Sequence, residues 1–258
     1  MKRIITLTTD FGTKDGYVGT VKGAIFSLNP RAEIVDISHE IPPQNIVAGA
    51  FCLFNSCSFF PKGTIHLAVV DPGVGSRRKA LLVQTQKYFF VGPDNGIFSL
   101  ALRREKLQKI IHLINSKYFL YQISPTFHGR DIFAPVAAYL SLGIDPDEFG
   151  PQIKEIQNLP LPAVKKTKTN IAGQIIHIDN FGNLVSNVTA EGFAEYKNMK
   201  VRIKKSVIPR LSRTFAEVRK GDLVAYMGSS NFLEIGIREG NAHLGLKAKL
   251  GDRLELIL

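Results

Sequence analysis

The chain reads as an α/β protein, with an N-terminal sheet covered by helices and a smaller C-terminal all-β domain of barrel type. Three observations predict this. Up to about residue 150, short β-branched runs alternate with segments of helical periodicity. Residues 151–169 then hold Pro151, Pro160, Pro162 and the run Lys165-Lys166-Thr167-Lys168 with little periodicity, the composition of an interdomain linker. From residue 170 onward, short apolar segments follow one another between Gly, Asn and Ser, the pattern of a small barrel. The expected domains are therefore residues 1–150 and 170–258, joined by 151–169.

In the first domain, residues 4–8 form the first expected strand and residues 16–29 a helix stopped by Pro30. Residues 33–37 are the second strand. Across residues 44–60 the apolar side chains Ile46, Val47, Ala50, Phe51, Leu53 and Phe54 recur at helical spacing. Strands are expected at 64–70, 80–84 and 88–91, and a helix at 130–142 in which Pro135 makes a kink or marks the first turn. In the second domain the expected strands are 174–178, 184–188, 200–204, 223–227, 232–237 and 253–257.

At 258 residues the chain is long enough to bury a sizeable core. Its 33 Lys and Arg against 22 Asp and Glu give a net charge of +11, which favours anionic partners. The basic residues are nevertheless dispersed and do not alternate with aromatics, so a solvated basic face is expected rather than a nucleic-acid site. Cys52 and Cys57 lie in an apolar segment without a nearby histidine cluster, which predicts two thiols and neither a zinc site nor a disulfide. The apolar run after Met1-Lys2-Arg3 ends at Thr8-Thr9-Asp10, too short and polar for a signal peptide, and no stretch approaches a membrane span. A cytoplasmic protein without a membrane partner is the expectation.

The loop Asp71-Pro72-Gly73-Val74-Gly75-Ser76-Arg77-Arg78 directly follows an apolar strand, and ligands of open α/β sheets collect beyond the carboxyl ends of strands. It offers either a reactive carboxylate and guanidinium or an exposed Asp71–Arg78 ion pair contributing about 0–1 kcal/mol. Thr9-Asp10-Phe11-Gly12 follows the first strand, so Asp10 shares that sheet edge if the strands are parallel, as a ligand for ribose hydroxyls or as a helix cap. Gly92-Pro93-Asp94-Asn95-Gly96 is explained by turn chemistry. In Thr126-Phe127-His128-Gly129-Arg130-Asp131 the histidine precedes a helix, whose dipole disfavours the imidazolium and keeps the ring available as a base, unless the histidine is only structural. Further on, His177-Ile178-Asp179-Asn180-Phe181-Gly182-Asn183 surrounds one aromatic with polar groups: Phe181 suits stacking on a heterocycle and Asn183 suits its edge, unless the segment is only a hairpin turn. Gly228-Ser229-Ser230-Asn231 is a second polar turn, suited to a carboxylate.

Taken in order, the motifs around Asp10, Asp71 with Arg78, Asp94, His128 and Asp179 to Asn183 resemble the S-adenosyl-L-methionine hydroxide adenosyltransferases, hydrolytic relatives of the fluorinase and chlorinase. The resemblance runs through both domains. It implies an N-terminal α/β domain, a C-terminal β-barrel and a homotrimer whose substrate lies between one subunit's first domain and its neighbour's second. By the same resemblance, Asp71, Arg78 and His128 hold a water or hydroxide for attack on the ribose C5′ of S-adenosylmethionine, giving adenosine and methionine. Asp10 takes the ribose, Phe181 and Asn183 the adenine, and Asp179 with Ser229 and Ser230 the methionine. No metal or cofactor is implied, since the sulfonium is already activated.

Two departures from the halogenases favour hydrolysis: Asp71 stands where the fluorinase has an aromatic, and Gln44 stands where it has a tryptophan. An anionic Asp71 repels halide. The long insertion of the fluorinase is also missing, because Val83-Gln84-Thr85 is followed almost at once by Tyr88-Phe89-Phe90. The competing readings are an adenosyl-halide synthase and, outside enzymes, a basic nucleic-acid-binding or S-adenosylmethionine-binding module.

Overall fold

A computed structural model of the protein describes residues 3–192 and 199–257. Met1 and Lys2 of the N-terminal run lie outside the described residues. The chain is a mixed α/β protein that divides into two compact units, Met1–Leu159 and Pro160–Leu258, each built around its own sheet.

The first unit contains strands Ile4–Thr9 (β1), Glu33–Ser38 (β2), Ile65–Val69 (β3), Ala80–Thr85 (β4), Phe89–Pro93 (β5) and Leu107–His112 (β6). Their order is β2-β1-β3-β5-β4-β6. The half made of β2, β1, β3 and β5 is parallel, while β4 runs antiparallel to both β5 and β6. Between them come helices Tyr17–Leu28 (α1), Ile46–Cys57 (α2), Ser99–Leu102 (α3) and Ala134–Ser141 (α4).

One sheet face packs Ile5, Leu7, Leu67 and Val91 against Val21 and Ile25 of α1 and Val136 and Leu140 of α4. The other packs Ala68, Val70, Leu81 and Phe90 against Leu53 of α2 and Ala101 of α3. Burial on both faces explains why β3 and β5 are buried at every position and, apart from His66, show no apolar–polar alternation. Asn45 starts α2 by accepting the Ala48 N–H at 3.0 Å, and Gly49 lets the helix approach closely, since a Cβ there would sit 2.9 Å from Val70 Cγ2. The expected helix at 130–142 is divided: a π-helical turn, Gly129–Phe133, precedes α4, and Pro135 sits in the first turn of α4, where its missing N–H costs nothing.

The segment read as a linker is taken up by the two units. Ile153 and Ile156 pack on the first unit's core, the Gln157 N–H donates to Asp94 Oδ1 at 2.7 Å, and the Leu159 N–H donates to Ser99 Oγ at 2.9 Å. Its later part carries Lys165–Lys166 (β7) in the second unit. There follow Asn170–Ile178 (β8), Leu184–Thr189 (β9), Lys200–Ile203 (β10), Ser206–Ile208 (β11), Leu211–Ser212 (β12), Leu223–Met227 (β13), Phe232–Ile237 (β14) and Arg253–Ile257 (β15). They form one sheet of order β11-β10-β15-β8-β9-β14-β13-β12, with β7 beside β8, antiparallel except for β12 with β13. Ile171, Ile175, Val201, Leu233, Ile235 and Leu254 fill its core. The unit is not wholly β, because Ala242–Leu246 (α5) follows β14, with the Asn241 side chain accepting from the Leu244 N–H at 2.8 Å.

Candidate active site

β1 and β3 are adjacent and parallel, with Thr9 opposite Val69, so the loops bearing Asp10 and Asp71 leave the same edge of the sheet. The side chain of Asn95 donates to the Val70 carbonyl at 2.8 Å and so fixes the backbone just before Asp71. Bonds from Val74 N to Asp71 O and from Ser76 N to Gly73 O then turn the chain back on itself, which brings Arg78 to Asp71. Gly75 is required in that turn. Its φ is +77°, and a Cβ there would lie 2.5 Å from the Pro125 carbonyl oxygen.

Arg78 Nη2 donates to Asp71 Oδ2 at 2.6 Å, and Nε lies 3.0 Å from each carboxylate oxygen. The two side chains are only 7% and 6% exposed, so the weak surface pair is not what forms. Removing one partner of such a buried pair typically costs about 3–5 kcal/mol. The Phe133 ring lies 5.3 Å from the guanidinium carbon and backs the arginine with an aromatic face.

Arg78 Nη2 also lies 2.8 Å from His128 Nδ1. A guanidinium has no lone pair to offer, so Nδ1 must accept and the ring proton of a neutral His128 sits on Nε2. Burial and the charge of Arg78 hold the His128 pKa below its ordinary value, against the opposing pull of Asp71 and Asp131. His128 caps the π-helical turn that leads into α4. Asp131, fully buried, accepts the Ser124 N–H at 2.8 Å and anchors the loop just before the histidine.

Asp10 is not a helix cap, since α1 starts at Tyr17 and its N-cap Gly16 supplies no side-chain bond. Its Oδ2 accepts the Gln44 N–H at 2.8 Å and, among the described residues, Oδ1 carries no partner. Asp10, Gln44, Asp71 and His128 line one cavity of about 270 Å³. A neighbouring cavity of about 510 Å³ shares Asp10, Phe11, Gln44 and Phe127 with it and adds Tyr17 and Arg130. The two together are a polar, carboxylate-bearing floor with an aromatic side wall, since Phe11 and Tyr17 each pack edge to face with Phe127 and tilt against one another.

In the second unit, Asp179 organises the turn between β8 and β9. Its Oδ1 accepts from Phe181 N and Asn183 N at 2.9 and 2.8 Å, and its Oδ2 accepts from Asn183 Nδ2 at 2.8 Å. These bonds build a hairpin turn around Asp179, from which Phe181 projects at 74% exposure. Ser229 and Ser230 lie in the tight turn between β13 and β14, closed by the bond from Gly228 N to Phe232 O. Antiparallel pairing of β9 with β14 puts these two turns at opposite ends of β14.

Supporting residues beyond the predicted set hold these loops and strands. Thr9 and His39 brace the Asp10 loop, Gln44 contributes its backbone N–H at φ +65°, and Tyr226 donates to Glu234 Oε2 at 2.7 Å on the strands between the two turns of the second unit. Burial and the charge of Asp179 raise the Glu234 pKa against the pull of Tyr226. A signal existed only for Gln44, a polar residue straight after two prolines.

Residues 5–150 match the model of the SAM hydroxide adenosyltransferase N-terminal domain, and residues 173–255 match that of the C-terminal domain. The (R)-S-adenosyl-L-methionine hydrolase of Methanocaldococcus jannaschii is 36% identical over 98% of this chain and 95% of its own. That of Thermus thermophilus is 36% identical over 98% and 99%. A fluorinase from Actinopolyspora mzabensis is more distant, at 24% over 90% and 89%. The crystal structure of an uncharacterized conserved protein from Thermotoga maritima superposes with a TM-score of 0.92 at 33% identity, over 99% of this chain and 100% of that one. With both halves matched by the family models and full-length relatives above 30% identity, the chain belongs to the SAM hydroxide adenosyltransferase family.

Proposed function

We propose that the protein hydrolyses S-adenosyl-L-methionine to adenosine and L-methionine. The observation that carries this reading is the chain Asp71–Arg78–His128, closed by contacts of 2.6 and 2.8 Å beside a cavity that Asp10 also lines. Relatives that share about a third of the residues along the full chain are named hydrolases, while fluorinases are more distant.

In this mechanism Arg78 occupies Asp71 from one side and fixes the tautomer of His128 from the other. Asp71 accepts a hydrogen bond from the nucleophilic water, and His128 Nε2–H donates to the water oxygen. A lone pair of that oxygen is then aimed at C5′. As the O–C5′ bond forms, the C5′–S bond breaks and its electron pair goes to sulfur, which leaves as the neutral thioether of methionine. The oxygen, now bonded to carbon, is strongly acidic and releases a proton, for which Asp71 is the nearest acceptor. Because proton loss is late, the step needs alignment more than a strong base, and alignment contributes up to about 7–11 kcal/mol. His128 is thus a donor, not the base, since the lone pair of its Nδ1 is already engaged by Arg78.

The ribose hydroxyls are assigned to Asp10, the adenine to Phe181 and Asn183, and the methionine to Asp179, Ser229 and Ser230. The family resemblance and the polar turns that hold these residues support the assignment. Assembly as a homotrimer, with a neighbour's second unit completing each site, belongs to the same reading, as does a barrel form for that unit. Sedimentation of a fully active monomer contradicts the trimer. No metal or cofactor is needed in this reading, because a sulfonium is already an activated leaving group. Among the described residues no helix is long and apolar enough to cross a membrane; a cytoplasmic location, which the free thiols of Cys52 and Cys57 suit, belongs to the same proposal.

The test is product identity. Purified protein given S-adenosylmethionine in chloride-containing buffer is expected to yield equimolar adenosine and L-methionine. Accumulation of a 5′-halo-adenosine makes it a halogenase, and bound substrate without turnover makes it a binding module.

A further inference from the structure

The segment that follows β2 grips the Asp10 loop at several points. Thr9 Oγ1 lies 2.8 Å from His39 Nδ1, and the same oxygen accepts the Phe11 N–H at 3.3 Å. The Gly12 N–H donates to the His39 carbonyl at 2.8 Å. Thr13 Oγ1 donates to Glu40 Oε1 at 3.0 Å, and the Gln44 N–H donates to Asp10 Oδ2 at 2.8 Å. Residues 9–13 are therefore tied, nearly one by one, to residues 39–44.

His39 is the centre of this grip and is only 6% exposed. Its Nε2 lies 3.1 Å from Asp36 Oδ1, off the line of a good hydrogen bond, and Asp36 Oδ2 in turn lies 2.6 Å from Lys22 Nζ on α1. A register shift between β1 and β2, where Leu7 faces Asp36 but Thr8 faces Ser38, inserts the extra residue that turns this end of β2 toward the loop. With the proton of a neutral ring on Nε2 facing the carboxylate, Nδ1 accepts from the Thr9 hydroxyl, whose oxygen is then free to accept from Phe11 N. The bonds run in one direction from Phe11 N–H through the Thr9 hydroxyl, which accepts once and donates once, to His39 Nδ1, and the far side of the ring rests against the Asp36 carboxylate.

We infer that His39, acting through Thr9, is a positioning residue that holds the Asp10 carboxylate in the orientation needed to bind the ribose of the substrate. The inference rests on the reading of Asp10 as the ribose ligand. It follows from the geometry because the Thr9 side chain before Asp10 and the Phe11 and Gly12 N–H groups after it are pinned, while the carboxylate retains one oxygen for a ligand. Ribose contacts are made alike in the ground and transition states, so loosening them raises KM and leaves kcat nearly unchanged.

The experiment uses the full-length protein and S-adenosylmethionine, with Thr9→Val, His39→Gln, His39→Asn and Asp10→Ala, and with the Thr9→Val and His39→Gln changes each repeated in the Asp10→Ala background. Thermal melts of every variant accompany the kinetics. Thr9→Val and His39→Gln are expected to raise KM about tenfold, the scale of one or two lost hydrogen bonds, with kcat within twofold. His39→Asn, whose side-chain oxygen overlays Nδ1 and still meets Thr9, is expected to recover most of that loss. In the Asp10→Ala background the same changes should add less than about twofold, since the group they position is gone. KM values unchanged by both Thr9→Val and His39→Gln overturn the inference, as do losses that add in full to that of Asp10→Ala or that track the melting temperature alone. If Asp10→Ala itself leaves KM unchanged, the ribose assignment fails first and takes the inference with it, a result distinct from failure of the His39 link.

Discussion

Arg78 determines what its two neighbours do. Bonding to both Asp71 and His128, it keeps one in an acceptor role and fixes the ring proton of the other on Nε2. Asp71→Asn and His128→Ala are each expected to lower kcat by at least about a hundredfold while KM stays within a few-fold, since misplacing a nucleophile by about 1 Å costs that much. Equal losses in kcat and substrate affinity would assign them to binding instead. Burial and Arg78 depress the His128 pKa, so the imidazole is neutral at physiological pH and charges only below its ordinary value of 6.5. Protonation of Nδ1 would turn it against Arg78 and break the chain. The pH profile of kcat/KM should therefore be flat through neutrality and fall on the acid side with a midpoint below 6.5; a midpoint at or above that value contradicts the account. These residues were legible in the sequence as types and spacing, but the burial of Asp71 and Arg78, and with it the difference between a surface pair and a structural one, needed coordinates.

The strands and helices of the first unit were legible where apolar runs were long or ended by Pro and Gly, as in α1, α2 and β3. Other elements gave weak signals. β6 begins with the exposed Leu107 and Gln108 and the half-buried Lys109 and lies at a sheet edge, so it carries little apolar pattern. The linker reading of residues 151–169 followed the prolines, which cannot report that the half-buried Ile153 and Ile156 pack against a core far away in sequence. β3 also carries a group that sequence could not value. His66 is fully buried, with Nδ1 2.8 Å from Thr6 Oγ1, Nε2 without a partner, and the Tyr88 and Phe90 rings against it. Burial pushes its pKa down to about 3 from 6.5, so between those values the unfolded chain binds a proton that the fold refuses. Stability is accordingly retained above pH 6.5 and lost, by about 1.4 kcal/mol per pH unit, as pH falls toward 3. Urea unfolding across this range should show that slope, and His66→Phe, which fills similar space and cannot protonate, should reduce it by about one proton; an unchanged slope would place the acid sensitivity elsewhere.

For the molecule as a whole, the order of five short motifs carried more information than any one of them, because each is an ordinary turn when taken singly. What the order left open was which residues meet. The first unit brings Asp10, Asp71, Arg78 and His128 to one sheet edge because β1 and β3 are parallel neighbours, a fact of topology that no local spacing contains. The second unit holds Asp179 and the Ser229–Ser230 turn at opposite ends of β14, with Glu234 and Tyr226 on the strands between them. The central claim is that water, aligned by Asp71 and His128, attacks C5′ and displaces methionine. The most direct measurement is the mass of adenosine formed from S-adenosylmethionine in water enriched in oxygen-18. The account predicts one heavy oxygen in each adenosine, located at O5′, whereas adenosine without label, or label in the methionine, would contradict it.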